Sequence, residues 1–316
     1  MTEVTFTRAK FSHRVFAFFF DFILMAILSL FLITATRDIL QNVPYYKNAI
    51  KAINDTQEAS HLYDKKDGVL VMLYDYYEIE DEEKDYDLYY PKLDEALKAF
   101  YQEEAFFPDH DGLDLYNKQK IETGYFIYTD DTKTDTSPKD GVSTSILYKT
   151  LASLMKNEAV NYFPRYPGYI EAVNTINYSF VFIILFLPIL ISFLIFEFII
   201  PLCLRRGRKT LGKLVFKLGV VDARGLSPSF VRFLARTTLF FFFEIILSVL
   251  TFFIPLIVSS SMFTFSKANQ SFHDYVAGTY VIDCSSNQIF MNEEEYKEKK
   301  QQAKDFVLTS DKVDLK

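Results

Sequence analysis

Residues 13–36 read His13-Arg14-Val15-Phe16-Ala17-Phe18-Phe19-Phe20-Asp21-Phe22-Ile23-Leu24-Met25-Ala26-Ile27-Leu28-Ser29-Leu30-Phe31-Leu32-Ile33-Thr34-Ala35-Thr36. From Val15 onward the run carries one charge, Asp21. At about 1.5 Å per residue a helix of this length crosses a hydrocarbon layer of about 30 Å. An Asp at that depth costs about 2.5–3.5 kcal/mol on insertion scales, so it needs a partner or a task. The run is too long for a signal-peptide core and has no small-residue cleavage site, so it reads as an uncleaved anchor.

Two further apolar blocks follow. Residues 179–204 hold one charge before the basic flank, Glu197. Residues 229–265 are interrupted by Arg232, Arg236 and Glu244. At 37 residues the third block is either one span with an interfacial piece or a hairpin turning near Thr251–Pro255. The hairpin reading gives an all-α membrane protein, a four-helix transmembrane bundle. Arg8, Lys10 and Arg14 precede the first span, and Arg205, Arg206, Arg208, Lys209, Lys213 and Lys217 follow the second. Lys and Arg mark the cytoplasmic side. Both termini then face the cytoplasm of a bacterial cell membrane, and residues 37–177 lie outside it.

The resulting order is a cytoplasmic N-terminus and first span over 1–36, an extracytoplasmic domain over 37–177, and a second span over 178–204. A basic loop over 205–228, a hairpin over 229–266 and a cytoplasmic segment over 267–316 complete it. Residues 37–177 hold 15 basic and 27 acidic side chains against 19 and 14 elsewhere, so an acidic outer part faces basic inner parts. Neither this acidic balance nor any motif suggests nucleic acid. The two cysteines, Cys203 and Cys284, both fall on the inner side, which leaves no disulfide framework for the outer domain.

The outer domain is too long for a passive loop. Apolar residues at 93, 96, 97, 100 and 101, and Ile146, Leu147, Leu151, Leu154, Met155 and Val160, fall at helical spacing. Gly68–Tyr74 and Gly124–Tyr128 read as short strands, and 130–141 as a loop. The expectation is a soluble α-rich (α+β) domain. Its 17 of the chain's 21 tyrosines beside the acidic run 75–87 suit a carbohydrate- or cation-binding surface; they equally suit core filling beneath a solvated acidic face, the simpler reading. Asp109-His110-Asp111 lacks the further ligands of a calcium loop. Gly207-Arg-Lys-Thr210-Leu-Gly212-Lys213-Leu214 approaches a phosphate-binding loop but has Leu214 where magnesium needs a hydroxyl, and a span end precedes it. No metal, cofactor or catalytic triad pattern is present, so an enzyme is not expected. Lys213–Asp222 and Gly278–Asp283 read as strands of a small cytoplasmic β element, and Ser227-Pro228 as the cap of the next helix.

These pieces together resemble the RDD family of bacterial integral membrane proteins. Arg14 and Asp21 match its opening Arg and Asp, and Thr210-Leu-Gly212-Lys213 its inner segment. Val220–Gly225, Ser229–Arg236 and His273-Asp274-Tyr-Val-Ala-Gly278-Thr279 follow in the family's order, with Asp274 as the second Asp. The resemblance covers about 8–36 and 178–284 and leaves 37–177 as a large insertion. It implies either an accessory membrane protein or a sodium–proton antiporter.

Depth arithmetic places Asp21 about 10 Å past Arg14, Glu197 about 9 Å from the end of its span, and Arg236 about 12 Å past Pro228. Asp21, Glu197 and Arg236 are expected to share one layer, with Arg14, Arg232 and Asp274 in a second layer at the interface. Ser259, Ser260 and Ser261 offer oxygen ligands. The layer reads either as a Na⁺ or H⁺ site, or as Arg236 pairing with Asp21 or Glu197 to fix helix registry. Glu244 has no evident partner. The sequence therefore suggests a non-catalytic accessory or receptor-like component in the lipid bilayer, binding an envelope or membrane protein through 37–177. The alternative is a small monovalent cation/proton antiporter.

Overall fold

The computed structural model describes residues 6–80, 85–266 and 269–302. In chain order the helices are α1 (Phe11–Leu40), α2 (Pro44–Ala59), α3 (Leu73–Glu80), α4 (Tyr86–Gln102), α5 (Gly112–Glu122), α6 (Thr144–Asn157), α7 (Tyr169–Cys203), α8 (Leu211–Val215), α9 (Phe230–Leu250), α10 (Ile254–Phe265) and α11 (Phe272–Ala277). The strands are β1 (Tyr63–Lys66), β2 (Val69–Met72), β3 (Phe126–Tyr128), β4 (Thr136–Pro138), β5 (Leu218–Asp222) and β6 (Thr279–Asp283). They form three antiparallel pairs, β1–β2, β3–β4 and β5–β6. The chain divides into two compact units, one from Met1–Ala35 with Leu185–Lys316, the other from Thr36–Ile184.

α1, α7 and α9 are long and apolar enough to cross a membrane. They keep large side chains such as Phe31, Phe182 and Val249 exposed, as helices solvated by lipid do. The third apolar block does turn back. Thr251–Phe253 breaks it, with Phe252 and Phe253 both in the left-handed region, and α10 returns alongside α9. At 12 residues α10 rises only about 18 Å, shorter than the full span the sequence suggests.

The small sheet pairs Val220 with Val281, and the N-terminal segment joins it through the Arg8–Ile282 bridge and the Ala9 N–H donating to the Val281 carbonyl. Ala9, Ala17, Leu218, Val220 and Val281 make a shared apolar core. The strand expected from Lys213 begins only at Leu218, because Thr210 accepts from the Lys213 N–H and starts α8 instead. The cap of α9 falls at Ser229, whose hydroxyl accepts from the Arg232 N–H, rather than at Ser227. A charged helix covers 293–302; the rest of the expected tail helix lies outside the described residues.

In the second unit, α4 packs on α6 around Leu93, Leu97, Phe100, Leu147, Leu151 and Met155. Tyr101 and Tyr116 stack at 5.1 Å and are fully buried, so these tyrosines fill the core. The segment expected as a loop over 130–141 contains β4. Lys120, 1% exposed, donates to Asp94 at 2.8 Å, and the Tyr116 hydroxyl donates to the same oxygen at 2.7 Å. Residues 81–84 of the acidic run lie outside the described residues.

Candidate functional site

The first unit holds a cavity of about 310 Å³ whose lining includes polar side chains from six helices. α1 supplies Arg14 and Asp21, α7 Glu197, α8 Lys213, α9 Arg236 and Glu244, and α10 Ser259 and Ser260; Ser271 and His273 border it too.

Its anchor is Asp274 on α11, fully buried. Oδ1 accepts from Arg236 Nε at 2.7 Å and Thr279 Oγ1 at 3.0 Å. Oδ2 accepts from Arg14 Nη2 at 2.9 Å and Ser271 Oγ at 3.0 Å. Arg14 also donates to the Asn269 carbonyl and lies 4.1 Å from the centre of the Phe263 ring. Burial pushes the Asp274 carboxyl up, but the charges and hydrogen bonds of Arg236 and Arg14 outweigh it and hold the group well below the usual carboxylate range. Gly278, in the left-handed conformation, ends α11 and turns the chain into β6.

A second chain of contacts runs outward along α9. Arg236 Nη2 lies 3.2 Å from His273 Nε2, and His273 Nδ1 lies 2.7 Å from Glu244 Oε1. A guanidinium only donates, so Nε2 accepts and Nδ1 carries the proton shared with Glu244. Ser259 Oγ donates to Glu244 Oε1 at 2.6 Å and accepts from the Phe272 N–H. Glu244, without an evident partner in the sequence, therefore has two.

Asp21 caps a loop. Its Oδ2 accepts from Thr210 Oγ1 at 2.5 Å and its Oδ1 from the Gly212 N–H at 2.6 Å. Only glycine fits at 212, because a Cβ there would lie 2.1 Å from the Ala17 carbonyl oxygen.

Asp21, Glu197 and Arg236 thus line one cavity, but Arg236 pairs with neither carboxylate. The registry pairing expected from the sequence is replaced by Arg236–Asp274, because α11 folds back onto α9. Arg14 and Asp274 do meet; Arg232 does not join them. One helical turn nearer the start of α9, it pairs instead with Asp222 at 2.9 Å and is 44% exposed. Of the three serines, Ser259 is buried on Glu244, Ser260 lines the cavity, and Ser261 is exposed and outside it. Sequence reasoning missed His273 and Lys213 as cavity residues. Both stood inside the family-like motifs, His273 beside Asp274 and Lys213 in Thr210–Lys213.

Glu197 differs from the other carboxylates. It is 9% exposed and lines the cavity, yet no hydrogen bond or ion pair within 4.0 Å joins it among the described residues. It sits in a π-helical stretch of α7, Leu194–Ile199, and Glu244 sits in another, Phe240–Ile246. Such widened turns recur at functional sites. Among the described residues no cluster of three or more His, Cys, Asp or Glu is arranged to hold a metal ion.

The RDD family model matches residues 142–278. The chain carries an RDD family domain. The match contains Glu197, Lys213, Arg236, Glu244 and His273, the greater part of the cavity's charged lining, and Asp274 behind it. It begins at residue 142, upstream of the second span where the resemblance resumes, and leaves Arg14 and Asp21 outside its limits. No curated protein and no solved structure matches the chain.

Proposed function

We propose that this RDD protein is a small cation/proton antiporter whose cavity takes one monovalent cation or one proton at a time beside Glu197. The observation that carries the reading is the unengaged Glu197 carboxylate. Asp21 is capped by Thr210 and Gly212, Asp274 holds Arg14 and Arg236, and Glu244 holds His273 and Ser259. A buried carboxylate without a partner is costly in an apolar medium and binds a proton or cation to offset that cost. Ser260, which lines the cavity, offers a further oxygen for a hard ion.

The small sheet supports the membrane arrangement. Thr7–Ala9 and Thr279–Asp283 bond to each other, so they lie on one side of the bilayer. An even number of crossings must separate them. Three long helices therefore need α10 and the segment after it to complete a fourth, which supports a four-helix arrangement and a cytoplasmic N-terminus and small sheet. The Lys and Arg pattern then supports an outer position for residues 37–177. That part has its own core, which an ion site does not require, and this supports a second, accessory role: binding an envelope or membrane protein partner.

Vesicle flux tests the first reading. Purified protein in proteoliposomes should move protons against an imposed sodium, lithium or potassium gradient. Silence under all three gradients removes the antiporter reading and leaves the accessory one, which co-purification through 37–177 then tests.

A further inference from the structure

Among the described residues Lys213 is the one cation lining the cavity that no ion pair joins to a carboxylate. Asp21 fixes the residues just before it, taking the Thr210 hydroxyl and the Gly212 N–H, and so sets the first turn of α8 against α1. Lys213 Nζ lies 3.3 Å from Thr210 Oγ1 and is in no ion pair within 4.0 Å among the described residues. Glu197 lines the same cavity, equally unengaged. An ammonium on a flexible four-carbon stem thus faces a carboxylate that it does not touch.

We propose that Lys213 is the proton carrier of the exchange: its ammonium balances Glu197 when no cation is bound, and it gives up its proton when a cation takes that place. This rests on the antiporter reading. The step balances one for one. The Lys213 ammonium releases H⁺ to water and becomes an amine, a monovalent cation enters beside Glu197, and the cavity's charge is unchanged. No redox change occurs.

The other charged groups leave Lys213 this role. From α1, Asp21 is tied to the loop and Arg14 to Asp274. From α9, Arg236 is tied to Asp274 and Glu244 to His273. From α11, Asp274 is saturated and His273 is held between Arg236 and Glu244. Among the described residues Glu197, from α7, is the carboxylate of the cavity that no hydrogen bond or ion pair ties elsewhere, and its charge acts on the ammonium ahead of those of Asp21 and Asp274. Burial lowers the Lys213 pKa, the Glu197 charge raises it and the Arg236 charge lowers it; the net result lies below the ordinary lysine value. A lysine so placed releases its proton more readily than one in water.

Lys213→Met separates carrier from scaffold. In proteoliposomes, wild type should couple tracer cation uptake to proton release with no dependence on membrane potential. Lys213→Met should keep the uptake but lose proton release by about a hundredfold, the lower end of what removing a proton-transfer group costs. Its uptake should become sensitive to a potassium–valinomycin potential. Lys213→Arg, which cannot give up its proton, should lose both movements. Lys213→Gln, made in parallel, should behave like Met, and size exclusion and melting establish that each variant is folded. Proton release in folded Lys213→Met or Lys213→Gln equal to wild type overturns the proposal while the antiporter reading stands. So does loss of both movements in those variants, which marks a scaffold role. A wild type that moves neither ion overturns both.

Discussion

Replacing Asp274 by Asn should destabilise the first unit more than any other single change of similar size. The carboxylate takes four donors, two on each oxygen, and two of them are guanidinium groups. Asn keeps one oxygen. Its NH₂ must then face the two donors on the other side, whichever way the amide is turned. The change also leaves Arg14 and Arg236 buried without their shared counter-charge. Breaking a buried pair costs about 3–5 kcal/mol, so Asp274→Asn should fall in that range. At about 2–4 °C per kcal/mol, the melting point should drop by roughly 10 °C. Thermal melting in detergent, followed by far-ultraviolet circular dichroism, measures it. Arg14→Gln should also destabilise, and the double variant should lose less than the two single losses together, because the residues share one contact. A melting point for Asp274→Asn within about 2 °C of wild type would refute the buried hub.

Gly212→Ala should cost at least about 1–3 kcal/mol, since its Cβ meets the Ala17 backbone carbonyl rather than a movable side chain; the same melting assay reads it, and a wild-type value contradicts the close approach of α8 to α1. Ser259→Ala should cost about 1–3 kcal/mol, because the Phe272 N–H loses its acceptor and Glu244 a donor. The second unit should lose stability in acid. Burial raises the Asp94 carboxyl, but the Lys120 charge and the hydrogen bonds from Lys120 and Tyr116 outweigh it and set the folded pKa below the ordinary value. The stabilisation is therefore present above the unfolded pKa of about 3.9 and is lost as pH falls through the folded one. Asp94→Asn should flatten that acid limb in denaturant titrations of the full chain, and an unchanged limb would contradict the pair.

The membrane helices were legible because hydropathy and length act along the chain. Glu197 and Asp21 stood out for the same reason: each is a lone carboxylate in an apolar run. Their partners were less legible. Depth along a helix placed Arg236 near both carboxylates, but not the direction of its side chain or the return of α11, which brings Asp274 to it. Arg232 and Arg236 are four residues apart, and depth alone assigned Asp274 to Arg232 rather than to Arg236. In the structure Asp222, at the end of β5, takes Arg232, and Asp274 takes Arg236. Thr210–Lys213 was visible as a motif, yet its task, capping Asp21 and presenting Lys213, depends on a contact across 189 residues. In the second unit the stripes of α4 and α6 were readable. α5 was not, since its polar composition gives weak periodicity and tertiary packing holds it in place.

The central claim is that Glu197 is the exchanging carboxylate and Asp21 a structural cap. One measurement tests it most directly: cation-driven proton movement in proteoliposomes holding equal amounts of folded wild type and Glu197→Gln. Glu197→Gln keeps the shape and removes the charge that binds the ion, and because no hydrogen bond or ion pair within 4.0 Å holds Glu197 among the described residues, the variant should stay folded with a melting point near that of wild type. The account predicts proton movement in wild type and none in Glu197→Gln. Equal movement in both, with the variant folded, would contradict it.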